Sequence, residues 1–187
     1  MTLTLLTGGA RSGKSAIAVR RAARRGAPVV FIATGQARDE EMTVRIARHR
    51  AERPAGWGTV EVPHELAEAV SAQDRGSTLV VDCLALWVSN LGERGDDEAA
   101  VVAHAARVAQ ACSRREGATI VVTNEVGSGL VPMHPLGRSY RDTLGRVNVE
   151  MARHADVVQL VVAGRCLTLH PDGDFAESRE AGGWERE

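Results

Sequence analysis

Residues 8–15 of the chain read GGARSGKS, and this short segment constrains the possible folds more than any other part of the sequence. It matches the pattern G-x-x-x-x-G-K-[ST] at Gly8, Gly13, Lys14 and Ser15. An apolar, β-branched stretch precedes it and a helix-like stretch follows it, which is the context that the pattern requires. In that context the loop directs backbone N–H groups and the positive end of a helix at phosphate oxygens. The sequence therefore predicts a phosphate-binding loop (P-loop).

Lys14 is the only lysine among the 23 lysines and arginines of the chain. Because a solvated surface accepts either cation, a lone lysine marks a position that arginine does not suit. A compact ammonium group reaches the β- and γ-phosphates of a nucleotide, which a planar guanidinium does poorly. We expect Lys14 to bind these phosphates and Ser15 to ligate Mg²⁺. The loop expected to surround the phosphates consists of Gly8, Gly9, Ala10, Arg11, Ser12 and Gly13.

Apolar runs alternate with helix-like segments along the rest of the chain. Strands are predicted over residues 2–7, 28–33, 59–62, 78–82, 119–123 and 157–163, with a hairpin partner at 166–170. Helices are predicted from residue 15 and over residues 39–53, 65–72 and 96–116. Strands that are apolar throughout indicate a mostly parallel sheet with helices on both faces. We predict an α/β, P-loop NTPase-like fold with a C-terminal antiparallel hairpin. Residues 1–170 form a single domain, and residues 171–187 form a polar tail.

Composition excludes several classes of protein. A net charge of −1 argues against a dedicated nucleic-acid binder, and 3% aromatic residues are too few for a base-stacking platform. No run of about 18 apolar residues is present, so we expect no membrane span. Three cysteines form neither a disulfide framework nor a zinc signature. We expect a cytoplasmic protein with no nucleic-acid partner.

Three acidic residues fall at or just after the ends of predicted strands. Asp82 ends a buried strand, as the acid that orders Mg²⁺ does in P-loop enzymes, but it could instead cap a helix that starts at residue 83. Glu61 and Glu125 also lie at such strand ends, where parallel sheets bind ligands. Glu125 could equally bond the backbone of its own loop.

Two classes of P-loop protein can be excluded from the sequence. A regulatory GTPase carries an Asn-Lys-x-Asp motif, which cannot exist in a chain whose single lysine belongs to the P-loop. A motor ATPase would normally be longer. These observations leave a small-molecule transferase.

A second group of candidate residues lies in the predicted helix over residues 39–53. At about 100° per residue, Met42, Arg45, Ile46, His49 and Arg53 share one face. The two arginines lie one turn to either side of His49 and would attract phosphate. His49 is therefore a candidate nucleophile, and a solvated histidine on a basic helix is the alternative.

Several segments together resemble one family, in order from about residue 3 to 165. They are TGGARSGKS at 7–15, FIATG at 31–35, DEEM with RIARHR at 39–50, RPAGW at 53–57, VDCL at 81–84, VTNEVGSGLVP at 122–132 and GRVN at 145–148. The family is the bifunctional adenosylcobinamide kinase / adenosylcobinamide-phosphate guanylyltransferase of cobalamin biosynthesis.

The resemblance implies two reactions. The hydroxyl of the aminopropanol arm of adenosylcobinamide takes the γ-phosphoryl group of ATP or GTP. The resulting phosphate then receives GMP from GTP, which gives adenosylcobinamide-GDP and pyrophosphate. The family carries GMP on a histidine, and the matching residue is His49.

The resemblance also implies further nucleotide contacts and an assembly. The GTP contacts are Ala33, Thr34, Gly35, Arg50, Ala51, Glu52, Arg53, Glu61 and Asp82. The expected partners are the corrinoid substrate, GTP and ATP, and further copies of the chain in a homo-oligomer, expected to be a trimer.

Two other functions stay open at the level of sequence. One is a P-loop kinase of another small alcohol, in which His49 only binds phosphate and no covalent step occurs. The other is a non-catalytic switch protein that responds to nucleotide.

Overall fold

The computed structural model describes residues 2–171. The strands are β1 (Leu3–Thr7), β2 (Val29–Ala33), β3 (Gly58–Glu61), β4 (Thr78–Asp82), β5 (Thr119–Val122), β6 (Val157–Val162) and β7 (Arg165–Leu169). The helices are α1 (Lys14–Ala23), α2 (Glu40–Ala51), α3 (Leu66–Ser71), α4 (Leu84–Arg94), α5 (Glu98–Ser113) and α6 (Pro135–His154). Apart from Pro171, the predicted tail lies outside the described residues.

All seven strands form one sheet in the order β3-β2-β4-β5-β1-β6-β7. Every pairing is parallel except that of β6 with β7, which is antiparallel. The predicted mostly parallel sheet and C-terminal hairpin are therefore confirmed. The central strands β1, β4 and β5 are almost fully buried, as strands covered on both faces are.

The strand order decides which face each helix covers. The chain moves from β1 to β2 and β3 in one direction across the sheet, and then from β3 through β4, β5 and β6 in the other. Because parallel crossovers are right-handed, α1 and α2 lie on one face and α3, α4, α5 and α6 on the opposite face. Contacts agree with this division, since α5 packs against both α3 and α6 whereas α1 packs against β1, β4 and β5.

Helix α6 was not predicted from the sequence, although its 20 residues make it the longest helix among residues 2–171. Pro135 occupies its first turn, where the missing N–H costs no helical hydrogen bond. Its buried residues Leu144, Val147 and Met151 recur at helical spacing and join the core. Within the same part of the chain, no helix is both long and apolar enough to cross a membrane.

Burial along α6 predicts a large difference between two identical substitutions. Leu144→Ala removes a fully buried side chain, so it should lower the free energy of unfolding by about 2–5 kcal/mol. Leu136→Ala, at a position that is 81% exposed on the same helix, should change it by no more than about 0.5 kcal/mol. Urea unfolding of both variants measures the difference, and equal destabilisation would contradict this packing of α6.

Candidate functional site

Strand register aligns the ends of five strands in one row. Ala33 of β2 pairs with Glu61 of β3 on one side and with Asp82 of β4 on the other. Asp82 is in register with Val122 of β5, which is in turn in register with Leu6 of β1. Because these strands are parallel, their carboxyl ends meet at one edge of the sheet, which we call the carboxyl edge. The predicted site residues at the ends of β1 to β4 therefore lie along this edge.

Two crevices open along the carboxyl edge. The helices that follow the neighbouring strands β1 and β5 cover opposite faces of the sheet, and so do those that follow β2 and β4. Ligands of open α/β sheets bind at such switch points. The P-loop follows β1 at the first crevice, and residues 34–35 and 82–83 lie at the second.

The P-loop backbone requires glycine at both ends. Gly8 has a φ of +150°, and a Cβ there would lie 2.3 Å from the carbonyl oxygen of Val161. Gly13 has a φ of +97° and is the N-cap of α1, so no side chain covers the first N–H groups of the helix. The loop between them is largely exposed at Gly9, Ala10 and Arg11. This geometry leaves a row of N–H donors that suits an anion.

Lys14 begins α1 and is buried inside the loop. Its Nζ donates to the carbonyl oxygens of Gly8, at 2.7 Å, and Gly9, at 2.6 Å. Burial lowers the pKa of Lys14, Cys83 and Asp82 act in the opposite direction, and the charge of Arg45 lowers it further. The charges of Asp82 of β4 and Arg45 of α2 therefore both act on the ammonium group. Ser15 follows in the first turn of the helix and is half-buried.

The carboxylate of Asp82 accepts no hydrogen bond from any residue in the range 2–171. The N-cap of α4 is Cys83, and no side chain caps this helix. The alternative that Asp82 caps the helix is therefore wrong. Its charge raises the pKa of both Lys14 and Arg53, so the carboxylate acts on a P-loop cation and on an arginine that follows α2.

Thr34 is completely buried, and its polar atoms form hydrogen bonds within the protein. Its hydroxyl donates to the carbonyl oxygen of Cys83, at 2.7 Å, and accepts from the Cys83 N–H, at 2.9 Å. Its own N–H donates to the carbonyl oxygen of Asp82, and its carbonyl accepts from the side chain of Asn90. Thr34 therefore joins the ends of β2 and β4. Its contact with nucleotide stays a prediction.

Helix α2 presents His49 on its half-buried face. Met42, Ile46 and His49 are half-buried, as is Arg53 beyond the helix end, whereas Arg45 is exposed. This face of α2 packs against Gly35, which follows β2. A Cβ added at Gly35 would lie 3.8 Å from Cδ1 of Ile46. No residue of α2 is fully buried. The helix therefore lies over the second crevice with few apolar contacts to hold it.

Two arginines connect the end of α2 to the sheet. Arg50 forms an ion pair with Glu61 at the end of β3. The guanidinium of Arg53 lies 3.5 Å from the ring centroid of Phe31, and burial lowers its pKa. The Nε of Arg53 is buried without a hydrogen-bond partner in the described part of the chain. Ala51 and Glu52, also predicted nucleotide contacts, are exposed at the end of the helix.

Glu125 bonds its own loop, which is one of the two roles expected for it. Its carboxylate accepts from the N–H groups of Gly127, at 2.5 Å, and Ser128, at 3.1 Å. Its own N–H donates to the carbonyl of Gly8, at 3.0 Å, and so connects the segment after β5 to the P-loop. Asn148 of α6 also holds this segment, because its side-chain oxygen accepts a hydrogen bond from the hydroxyl of Thr123.

Two positioning residues were not singled out from the sequence. Asn90 donates to the carbonyls of Thr34 and Pro63 and is itself 5% exposed. Tyr140 of α6 donates to the carbonyl of Ala85, at 3.1 Å, next to the second crevice. Both residues could have been found in the sequence as polar residues within an apolar stripe. Asn90 lies in LALWVSNL, and Tyr140 lies in the segment that forms α6.

Cys83 is the one thiol beside Lys14 and Asp82 among the described residues. It is buried, and burial together with the charge of Asp82 raises its pKa to about 12. A thiol that stays protonated is a poor nucleophile. Cys83 is therefore a poor candidate for a covalent step at this edge.

The chain matches a known family over nearly all of its described residues. The sequence profile of the cobinamide kinase / cobinamide phosphate guanyltransferase family matches residues 4–169. This chain belongs to that family. Membership confirms the predicted family and the predicted enzyme class.

Individual relatives agree with the family match over nearly the whole domain. A bifunctional adenosylcobalamin biosynthesis protein of Pseudomonas aeruginosa is 43% identical, over 88% of this chain and 95% of its own length. Proteins of the same description from Escherichia coli and Salmonella typhimurium are each 39% identical, over 87% of this chain and 96% of their own length.

Solved structures support the fold alone. A protein of Pyrococcus horikoshii superposes with a TM-score of 0.57 at 11% identity, covering 92% of this chain and 88% of its own. The RadB recombinase superposes with a TM-score of 0.50 at 16% identity, covering 85% of this chain and 73% of its own. The predicted P-loop fold class is confirmed.

Adjacent P-loop glycines should respond differently to the same added methyl group. Gly8→Ala places a Cβ against a backbone carbonyl that cannot rotate away, so it should destabilise the protein by roughly 1–3 kcal/mol and abolish GTP binding. Gly9→Ala meets no atom within 4 Å and should leave stability and GTP binding nearly unchanged. Urea unfolding and calorimetric GTP titration test the pair, and normal GTP binding by the Gly8 variant would contradict this geometry.

Proposed function

We propose that this chain carries out both reactions of its family at the carboxyl edge. It transfers the γ-phosphoryl group of ATP or GTP to the aminopropanol hydroxyl of adenosylcobinamide. It then transfers GMP from GTP to adenosylcobinamide-phosphate, through GMP bound covalently to His49, and releases pyrophosphate. The observation that carries this proposal is the position of α2. The helix presents His49 on the face toward the sheet and holds Arg45 near enough to Lys14 to lower its pKa.

The covalent step divides the guanylyl transfer into two displacements at one phosphorus. An imidazole nitrogen of His49 attacks the α-phosphorus, a P–N bond forms, and the bond to pyrophosphate breaks. A phosphate oxygen of adenosylcobinamide-phosphate then attacks the same phosphorus, the P–N bond breaks, and the imidazole is regenerated. The two large anionic substrates therefore never need to react with each other directly. Lys14 is the only lysine and lies inside the P-loop, so it is not available for a lysyl-nucleotide intermediate.

Magnesium fits the donors at this edge. Ser15 and Asp82 supply hard oxygen ligands, and Asp82 has no competing hydrogen bond within residues 2–171. Mg²⁺ usually takes one or two protein oxygens and completes its shell with water and phosphate. We propose that these two residues hold the ion. When bound, it would neutralise charge that develops on the departing pyrophosphate.

Family resemblance supports an assembly, and the composition of the chain supports a location. We propose a homo-oligomer, with a trimer as the expected form, in the cytoplasm. The corrinoid substrate, GTP and ATP are the small-molecule partners.

Labelled GTP tests the covalent step. The protein should retain label from the α-phosphorus but not from the γ-phosphorus, as an acid-labile and base-stable adduct. His49→Ala should abolish this label while γ-phosphoryl transfer to adenosylcobinamide persists. The matched control is His64→Ala, at another half-buried histidine, and it should label normally. No label on the wild-type protein, with phosphoryl transfer intact, would leave a kinase in which His49 only binds phosphate.

The two reactions place different requirements on α2. Kinase chemistry needs attack at the γ-phosphorus, whereas guanylyl transfer needs attack at the α-phosphorus, and one bound nucleotide cannot present both to the same place. We propose that α2 moves between the two steps. Its exposed, charged residues, its lack of buried residues and its position between Gly35 and Pro54 support this motion.

Hydrogen exchange measures the motion of α2 directly. GTP should slow amide exchange along α2 by an order of magnitude or more, because the helix then has a ligand to pack against. Helix α5 provides the internal control, since it is anchored in the core through Val101, Ala105 and Val108. Equal exchange in α2 with and without GTP would exclude the proposed motion.

A further inference from the structure

A cavity of about 790 Å³ lies beside the P-loop, between α5, α6 and the segment that follows β5. Glu125 and Asn148 line one end of it, and the N–H of Glu125 is bonded to the Gly8 carbonyl. Val102, Val126 and Val149 contribute apolar wall. Its volume falls in the range of roughly 300–1,000 Å³ that is typical of small-molecule sites. The cavity therefore adjoins the segment after β5 that is hydrogen-bonded to the P-loop.

An exposed apolar segment adjoins this cavity. Residues 127–134, which we call the apolar loop, contain no aspartate, glutamate, lysine or arginine, although such residues make up 25% of the chain. Leu130 is 97% exposed and Met133 is 90% exposed. Large side chains exposed together in this way mark interaction surfaces.

Both ends of the apolar loop are held by hydrogen bonds. The Glu125 carboxylate accepts from two N–H groups at its start. Arg138 of α6 donates to the carbonyls of Pro132, at 3.1 Å, and Met133, at 2.7 Å, near its end. The loop therefore presents its apolar side chains from a fixed position, which lowers the cost of ordering it on binding.

We propose that the cavity and the apolar loop together bind the corrin macrocycle of the acceptor, with its aminopropanol arm directed past Glu125 toward the P-loop. This inference rests on the proposed function. A corrinamide carries methyl groups and neutral amides around its ring, so an uncharged apolar loop complements it better than a charged surface does. The ion pairs on the cavity wall, Arg146 with Glu98 and Arg153 with Glu150, offer donors and acceptors to the amides.

Its position beside Glu125, at the carboxyl edge, distinguishes this site from a second cavity in the described residues. An acceptor hydroxyl must approach the transferred phosphorus to about 3–3.5 Å. The second cavity, of about 500 Å³, lies between α3 and α5 and is lined by Arg75 and Arg114. These residues precede β4 and β5, so that cavity opens at the opposite edge of the sheet from the P-loop. It cannot deliver a hydroxyl to the nucleotide.

Equilibrium dialysis of the full chain with adenosylcobinamide tests the proposal without relying on catalysis. The double variant Leu130→Ser/Met133→Ser should raise the dissociation constant roughly tenfold or more, since it removes two apolar contacts. Val149→Arg, at a position that is 54% exposed on the cavity wall, should raise it similarly by filling the groove. Leu167→Ser, on the exposed strand β7, is the matched control and should stay within about twofold.

An unchanged dissociation constant in either the double variant or Val149→Arg would overturn the proposal. An equal rise in the Leu167→Ser control would do the same. If the double variant instead lowers the sedimentation mass and keeps its corrinoid affinity, the apolar loop is a contact between copies of the chain. Labelling by α-labelled GTP, measured without corrinoid, should be normal in all three variants. A different result is that the wild-type protein fails to label while the variants change corrinoid affinity as expected. That result would refute the GMP-histidine but support the corrinoid site.

Discussion

Parallel pairing of β3, β2, β4, β5 and β1 in register is the constraint on which the rest of the site depends. It places Glu61, Ala33, Asp82, Val122 and Leu6 in one row, so residues that are far apart in sequence meet at one edge. The direction in which the chain crosses the sheet then sends neighbouring helices to opposite faces and opens the crevices. Buried strands hold this row rigidly, and the loops that follow them can present N–H groups, carboxylates and arginines at fixed positions.

Stability and function are distributed unevenly around this edge. Helices α5 and α6 are fixed by buried residues and by each other, and they form the wall of the proposed corrinoid cavity. Helix α2, which carries His49, has no buried residue and is attached by an ion pair at Arg50 and by Arg53 over Phe31. A rigid acceptor side and a loosely held helix suit an enzyme that must direct two different phosphorus atoms of a nucleotide at two different nucleophiles.

Local patterns in the sequence predicted most of the fold and part of the site. The P-loop, the apolar strands and the helix around His49 each carry their signal within a few neighbouring residues. The structure has these strands and this helix within two residues of the predicted bounds. Helix α6 was missed because its apolar residues are interrupted by arginines and by Gly137 and Gly145, so its face emerges only when it packs on α5. The role of Asn90 was also missed, because a buried amide is recognisable only once the carbonyls that it serves are brought to it.

The sequence by itself determined that this chain has a P-loop in a parallel α/β fold, because a P-loop is a contiguous segment whose chemistry depends on its own glycines and its lysine. It also singled out His49 and marked the family through segments whose order is fixed along the chain. Only the tertiary structure decided that Asp82 is free of a capping role, that Thr34 joins two strands, and that Glu125 bonds its own loop. These assignments depend on which backbone groups lie within hydrogen-bonding distance, and strand register and helix packing across the whole domain set those distances.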